Sequence, residues 1–360
     1  MKVLVLGSNS HRHPDLTPQP HGLGDFRKEL LRSGLEFDIR DNLPLSDFVD
    51  NASDYRPDII TLLINWDQEV STVESVIAKL TNVMRGVPIV FLDQCDQTCS
   101  PFLPLSSQVN LFLKAQVLAD KTSYTRQSIT GYIFTDYLHS CLGYDLESFS
   151  FGASIYPGAE TAIHTSWNLG VGKRLSRLLR LGRLAPPWKY RRYDFHCRLG
   201  LAPNGNGWYA RYRRKAADQI AEATVAFRRT GAERVGVRRY LAEMALSQVV
   251  FSPFGWGEVC HRDFEAVALG ALLLKPDMGH LVTYPNIYLP YRTYIPLKWD
   301  LSDLPDQCNW CMNNLDECRQ IANNARKVLA DYLSFGFLQD VRDAFNIVVG
   351  RESTVSSRFQ

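Results

Sequence analysis

Three apolar runs stand out in the first half of the chain: KVLVLG (2–7), DIITLLI (58–64) and VPIVFLD (87–93). Dense in Val, Ile and Leu and without polar alternation, they have the pattern of strands covered on both faces of a parallel sheet. Between them, GDFRKELLRSG and VSTVESVIAKLTNVMRG space their apolar positions as helices do, and each closes on a glycine, Gly34 and Gly86. Strand, helix and strand at this spacing predict βαβ units. RLAPPWKY then places Pro186 and Pro187 where neither helix nor strand can continue, which marks a linker. A second run follows: strand YDFHCRLG, helix WYARYRRKAADQIAEATVAFRR, strand QVVFSPFG, a helix from about His261, and strand ALLLKP. After NIYLPYRTYIPLKW the pattern is helical over 301–315 and 316–335 and then to about Val349, and the tail RESTVSSRFQ reads as unstructured. The whole predicts an α/β protein with two Rossmann-like doubly wound domains, 1–185 and 186–335. A C-terminal helix and tail, 336–360, is expected to cross back to the first domain.

Composition changes this picture little. Of 360 residues, 45% are hydrophobic and 22% charged, as in a soluble globular protein. MKVLVLGSNSHRHPD has an apolar run too short for a secretory signal, and the longest apolar run, 266–274, falls well short of the ~20 residues of a spanning helix. A cytoplasmic protein with reduced thiols is therefore expected. The only CxxC is CNWC, Cys308 to Cys311, and a zinc site would need a second pair.

Charge changes it more. The net charge is +2, yet residues 173–239 hold eighteen Lys and Arg against four Asp and Glu, a local +14 that leaves −12 for the flanks. Such asymmetry predicts an anionic partner. VGKRLSRLLRLGRL sets Leu175, Leu178 and Leu179 among Arg174, Arg177 and Arg180, as in a helix that lies peripherally on an anionic membrane surface at its inner face, or in a helix packed between domains.

The chemistry concentrates in VVFSPFGWGEVCHRDFEAVALGALLLKP (249–276). Ligands of parallel α/β sheets sit beyond the carboxyl ends of the strands. Here Gly255 and Gly257 let backbone amides come close, and the next helix offers free N–H groups and a positive dipole end suited to a diphosphate. Arg262 adds a charged fork. Glu265 lies one turn further on the same face, where a carboxylate suits two sugar hydroxyls. Trp256 can wall a ring.

This stretch resembles the donor-binding motif of GT-B-type glycosyltransferases, especially exostosin-like and group 1 enzymes: apolar strand, Ser-Pro, Gly-Trp-Gly, Arg, then Glu-Ala and Gly before another apolar strand. The resemblance is specific over about thirty residues and elsewhere rests on layout. It implies the GT-B architecture, with an acceptor-side first domain, a nucleotide-sugar domain, a cleft between them, no cofactor and no essential metal. Carried over residue by residue, it places Glu265 on the ribose, Gly257, Glu258 and Arg262 on the diphosphate and transferred sugar, and Arg198 and Gly200 near the phosphates. Arg211 and Arg214 are weaker candidates. Many retaining members space two glutamates eight positions apart; here Glu258 and Glu265 are seven apart, and inversion is the expected outcome.

An inverting transfer needs a general base. Candidates at carboxyl strand ends are His13, with His11 and the HGLGD turn beyond it, and Asp93, with Asp96 in the following loop; His164 in HTSWNLG is a third. The expected reaction is transfer of a sugar from a nucleotide-diphosphate sugar to a hydroxyl of a glycan or lipid-linked saccharide. An inactive homologue that binds nucleotide sugar or glycan would carry the same residues. GSNSHRHPD lacks the G-x-G-x-x-G of a nicotinamide enzyme. The aromatics of the basic segment are not spaced as a base-stacking platform, so nucleic acid is not an expected partner.

Overall fold

A computed structural model describes residues 1–10, 22–146, 148–201 and 207–350. The first half contains β1 (Lys2–Ser8), α1 (Arg27–Arg32), β2 (Glu36–Leu43), α2 (Phe48–Tyr55), β3 (Ile59–Leu63), α3 (Val70–Val83), β4 (Ile89–Asp93), β5 (Leu111–Lys114), β6 (Gln116–Leu118), α4 (Ile133–Leu142) and β7 (Ile163–Thr165). Six of these strands form a parallel sheet in the order β2-β1-β3-β4-β5-β7. Alternation along β1 explains its unbroken apolar run. Val3 and Val5 enter one core with Leu30 and Phe37, and Leu4 and Leu6 enter another with Ile60 and Phe91.

The second half contains α5 (Lys173–Leu181), β8 (Tyr193–His196), α6 (Trp208–Ala223), α7 (Val237–Ala245), β9 (Ser247–Phe251), α8 (His261–Ala268), β10 (Leu272–Pro276), β11 (Leu281–Thr283) and β12 (Ile295–Leu297). It ends in α9 (Leu304–Asn313), α10 (Leu315–Asp331) and α11 (Phe337–Val348). Strands β12-β10-β9-β8 form a second parallel sheet. Again both faces are buried: Val250 and Leu273 on one side, Val249, Phe251, Leu272 and Leu274 on the other. Helix α11 returns to the first sheet, where Phe345 meets Phe37 edge-on at 5.3 Å and Phe337 meets Trp167 at 5.4 Å.

Besides α11, two devices stand out where the halves join. β6 pairs antiparallel with β11, Leu118 opposite Leu281, and Thr283 Oγ1 donates to Ala115 O at 2.8 Å across that ladder. The other is the seam of the cleft described below.

Helix α5 is a packed interdomain helix. Leu175 and Leu178 are buried, Leu179 packs against the same core, and the backbone of Ala268 in α8 leaves no room for a side chain at Gly182. The apolar stripe expected to lie on a membrane is thus consumed by protein. The CNWC cysteines are ordinary core: Cys308, Cys311 and Cys318 are fully buried, and all eight cysteines are free. Among the described residues no group of His, Cys, Asp and Glu is placed to hold a metal ion. No described helix is long and apolar enough to cross a membrane.

Candidate functional site

The loop leaving β9 is anchored by a buried polar hub. Asp263, in the first turn of α8, accepts from Ser252 Oγ at 2.6 Å, Tyr288 OH at 2.9 Å and Cys260 N at 3.1 Å, and pairs with Lys275 Nζ at 3.1 Å. Both charges are fully buried, so each depends on the other and on the surrounding hydrogen bonds. The hub fixes where α8 starts and how its free N–H groups point. Lys275 also sits 5.3 Å above the ring of Phe254, which holds the strand-loop junction.

Between that anchor and α8 runs the glycine turn. A side chain at Gly257 would fall 1.9 Å from Asp96 O, so backbone meets backbone across the cleft and only glycine fits. Gly255 differs. A Cβ there would meet its nearest protein atom at 3.8 Å, ordinary contact, and its missing side chain leaves space facing a cavity.

The seam continues on both sides of this contact. Gln97 Nε2 donates to Trp256 O at 3.0 Å, and Thr98 gives Glu258 two hydrogen bonds, from N at 3.1 Å and from Oγ1 at 2.7 Å. Residues 96–98 therefore lie along 256–258, and the loops after β4 and β9 close on each other at the carboxyl ends of their strands.

The cavity beside this seam holds about 450 Å³, within the ~300–1,000 Å³ of small-molecule sites. Its walls are Tyr209 and Arg213 of α6, Tyr240 of α7, Gly255–Gly257, Cys260–Arg262 and Glu265 on one side, with Asp96 and Leu169 opposite. Two guanidiniums converge on it. Arg213 donates to Tyr209 OH and lies 5.2 Å over that ring. Burial, together with the charge of Arg262, pulls Arg213 below the usual guanidinium range. Arg262 reaches Ser252 Oγ at 3.5 Å. The Nε of each arginine is buried without a protein partner. Two like charges lining one cavity are costly unless an anion joins them. His196, at the end of β8, feels the same field: burial and Arg262 push its imidazole down to about 3, so it is neutral.

Glu265 completes the wall. It is 5% exposed and is paired to Arg174, which α5 delivers from across the linker. Tyr240 stands between Arg262 and Glu265 and shares hydrogen bonds with both, while burial raises its phenol above the usual range. Asp96 is exposed toward the cleft but enclosed by protein behind; desolvation raises its carboxyl, and nearby His261 works in the opposite sense.

Gly255, Trp256, Gly257, Arg262 and Glu265 are thus brought to one cavity. Trp256 stands in an aromatic cluster, 5.4 Å from Phe149 and 5.9 Å from Trp208. Other expected residues go elsewhere. Glu258 faces away from the cavity wall; it is fully buried against Thr98, with His280 Nε2 at 3.6 Å, and braces the seam. Arg198 is consumed by Glu243, with bonds of 2.8 and 3.0 Å, and by Glu233, and neither it nor Gly200 is on the cavity wall. Gly200 instead serves the chain turn after β8, at φ 63. Asp93 is buried under Lys114 Nζ at 3.4 Å and accepts from Cys95 N at 2.8 Å, closed off from the cleft. His13, like His11 and His21, lies outside the described residues. Arg211 turns to Asp145 O, and Arg211, Arg214 and His164 are absent from the wall. The residues missed are Arg213 and Tyr240. Tyr209 and Arg213 at i, i+4 after Gly207 were a usable signal for the first; Tyr240 needed helix α7.

No protein-family model matches the chain. Local stretches resemble uncharacterised viral proteins: 179R of Invertebrate iridescent virus 6, 38% identical over 56 residues, and 027R of Frog virus 3, 33% identical over 73 residues. These cover 16% and 19% of this chain, and only 5% and 8% of those proteins' length. Solved structures match along the whole chain. An α-glucosyltransferase in complex with UDP gives a TM-score of 0.52 at 10% identity, covering 97% of this chain and 100% of that one. The same enzyme with UDP and a 13-mer DNA gives 0.50. A sucrose-phosphate synthase from Thermosynechococcus elongatus gives 0.52 at 11% identity, covering 97% and 99%. A Listeria monocytogenes protein provisionally named UDP-N-acetylglucosamine 2-epimerase gives 0.51 at 10%, covering 100% and 99%. The chain has the GT-B fold: two Rossmann-like domains facing a cleft.

Proposed function

We propose that this protein is a glycosyltransferase that binds a nucleoside-diphosphate sugar in the cavity after β9 and passes the sugar to a hydroxyl of a glycan or lipid-linked saccharide. One observation carries the reading: the like-charged guanidiniums of Arg213 and Arg262 line one cavity of suitable size beside the start of α8. A pyrophosphate there satisfies both forks and the helix N–H groups at once. Glu265, one turn on, accepts from the ribose hydroxyls, with Arg174 and Tyr240 fixing its orientation. The exostosin-like character of the 249–276 stretch belongs to the same proposal.

Asp96 acts as the general base from the opposite wall, in place of Asp93. It takes the acceptor proton as the hydroxyl attacks the anomeric carbon with inversion, and the nucleoside diphosphate leaves as its charge is held by the two guanidiniums. Those positive charges do the work of a metal, so chelator leaves turnover unchanged. The choice of UDP as first donor rests on the α-glucosyltransferase described with UDP.

Thermal shift against UDP, GDP, ADP, CMP and their sugars tests binding, because a ligand of the native state alone raises Tm. Nucleotide released on adding an acceptor tests transfer. Acceptor arms of free glycan, lipid-linked saccharide and duplex DNA separate the substrate classes. An epimerase, the activity named for one fold neighbour, would alter the sugar without needing any acceptor. A tight nucleotide-sugar complex with neither release nor epimerisation would identify an inactive binder instead.

A further inference from the structure

A second cavity, of about 470 Å³, opens between the end of α5 and the end of α10, apart from the cleft. Arg180, Arg183, Arg326 and Lys327 line it together with Ser176 and Ser334, whose hydroxyl donates to Ala330 O at 2.8 Å, and no carboxylate is among its described lining residues. Asp331 beside it takes Lys327 Nζ at 2.6 Å, leaving three guanidiniums unbalanced. Arg326 is fixed in place by donating Nη2 to Leu179 O at 2.6 Å. Burial, and then the charge of Arg183, holds Arg326 below the usual guanidinium range. The field here calls for an anion.

Large apolar side chains on the same segments point outward. Leu181 is 56% exposed, Leu184 82% and Phe335 76%, while Leu175 and Leu178 of the same helix are buried. Leu184 follows Arg183 and Phe335 follows Ser334, so these exposed side chains stand next in sequence to residues that line the basic hollow. Bare Leu and Phe around an arginine-lined hollow suit neither a free ion, which needs no apolar collar, nor solvent.

We propose that this face docks on an anionic phospholipid bilayer, the hollow taking a lipid phosphate while Leu181, Leu184 and Phe335 enter the acyl boundary. Charge complementarity draws the surface in and apolar burial holds it. The inference is independent of the nucleotide site, because it is read out by vesicle binding and uses none of the cleft residues.

The test is co-sedimentation of the full chain with phosphatidylcholine vesicles and with vesicles containing phosphatidylglycerol, at 50 and 500 mM salt. Binding is expected only to the anionic vesicles and only at low salt. Arg183→Glu is expected to weaken it roughly 30-fold, and Leu184→Ser with Phe335→Ser at least about tenfold. Both variants change exposed positions, and unaltered thermal melts establish that they fold. No sedimentation at 50 mM salt, equal binding to neutral vesicles, or unchanged binding by the variants overturns the proposal. So does binding of inorganic phosphate or duplex DNA through Arg183 without vesicle binding, which would mark a free-anion or nucleic-acid site.

Discussion

Replacing Arg262 by alanine separates a ligand site from a structural one. In the free protein Arg262 gives limited support to the fold: its Nε has no partner, it shares a hydrogen bond with Tyr240, its bond to Ser252 Oγ is 3.5 Å, and Arg213 repels it. Truncation should shift the unfolding free energy by no more than about 1 kcal/mol. The loss falls on the complex. Hydrogen bonds to charged groups contribute ~1.5–3 kcal/mol, which at 1.4 kcal/mol per decade weakens diphosphate binding by roughly 10- to 150-fold. Calorimetric titration with UDP and urea unfolding of the same sample read both quantities. Arg262→Lys should recover part of the affinity, since it keeps the charge and loses the fork. A change in affinity below about threefold, or a stability loss above about 3 kcal/mol, would show that the guanidinium is structural.

Four further outcomes follow from the geometry. Gly255→Ala should keep its melting temperature and bind nucleotide roughly tenfold more weakly, whereas Gly257→Ala, whose Cβ would strike Asp96 O, should lose about 2 kcal/mol or more of stability; a thermal melt paired with a UDP titration distinguishes the two. Glu265→Ala should abolish the nucleotide-induced thermal shift while the protein remains folded, and an undiminished shift would remove the ribose contact. Asp96→Asn should cut turnover by about 10²–10⁴-fold with UDP affinity intact, and the wild-type rate should fall with acid on a limb above the ordinary carboxylate range, because burial raises that carboxyl. His196 has a folded pKa of about 3, below its ordinary 6.5, so its contribution is complete above pH 6.5 and is lost progressively as pH falls toward 3. At pH 5 the difference is about 2 kcal/mol; urea curves at pH 7 and 5 should show it for the parent and not for His196→Gln, and identical pH dependence would refute a buried neutral imidazole.

Legibility in the sequence followed locality. Strands β1, β3, β4, β9 and β10 were readable because sheet-interior positions require apolar side chains on both faces. β8, at the edge of its sheet, buries only Phe195 and His196 and was read from its place in the strand-helix alternation. β2 was not, since EFDIRDNL is an edge strand with only Phe37 buried. β5 and β7 have four and three residues, too few to show a period. Helix α7 carries arginines on its outer face and buries only Glu243 and Met244. In the site, Gly255, Gly257, Arg262 and Glu265 were readable because one loop and one helix carry them all. Arg213 comes from another helix and Asp96 from across the seam, so only tertiary structure unites them with that motif. Glu258 shows the opposite failure. It sits in the motif by sequence, but the chain turns its side chain into the seam toward Thr98.

Binding of a nucleoside diphosphate in the cavity after β9 underlies every role given to these residues. A crystal structure grown with UDP tests it most directly. Pyrophosphate oxygens should lie within hydrogen-bond reach of Arg213, Arg262 and the first amides of α8, with the ribose hydroxyls on Glu265. An empty cavity, with UDP bound at another site, would contradict it.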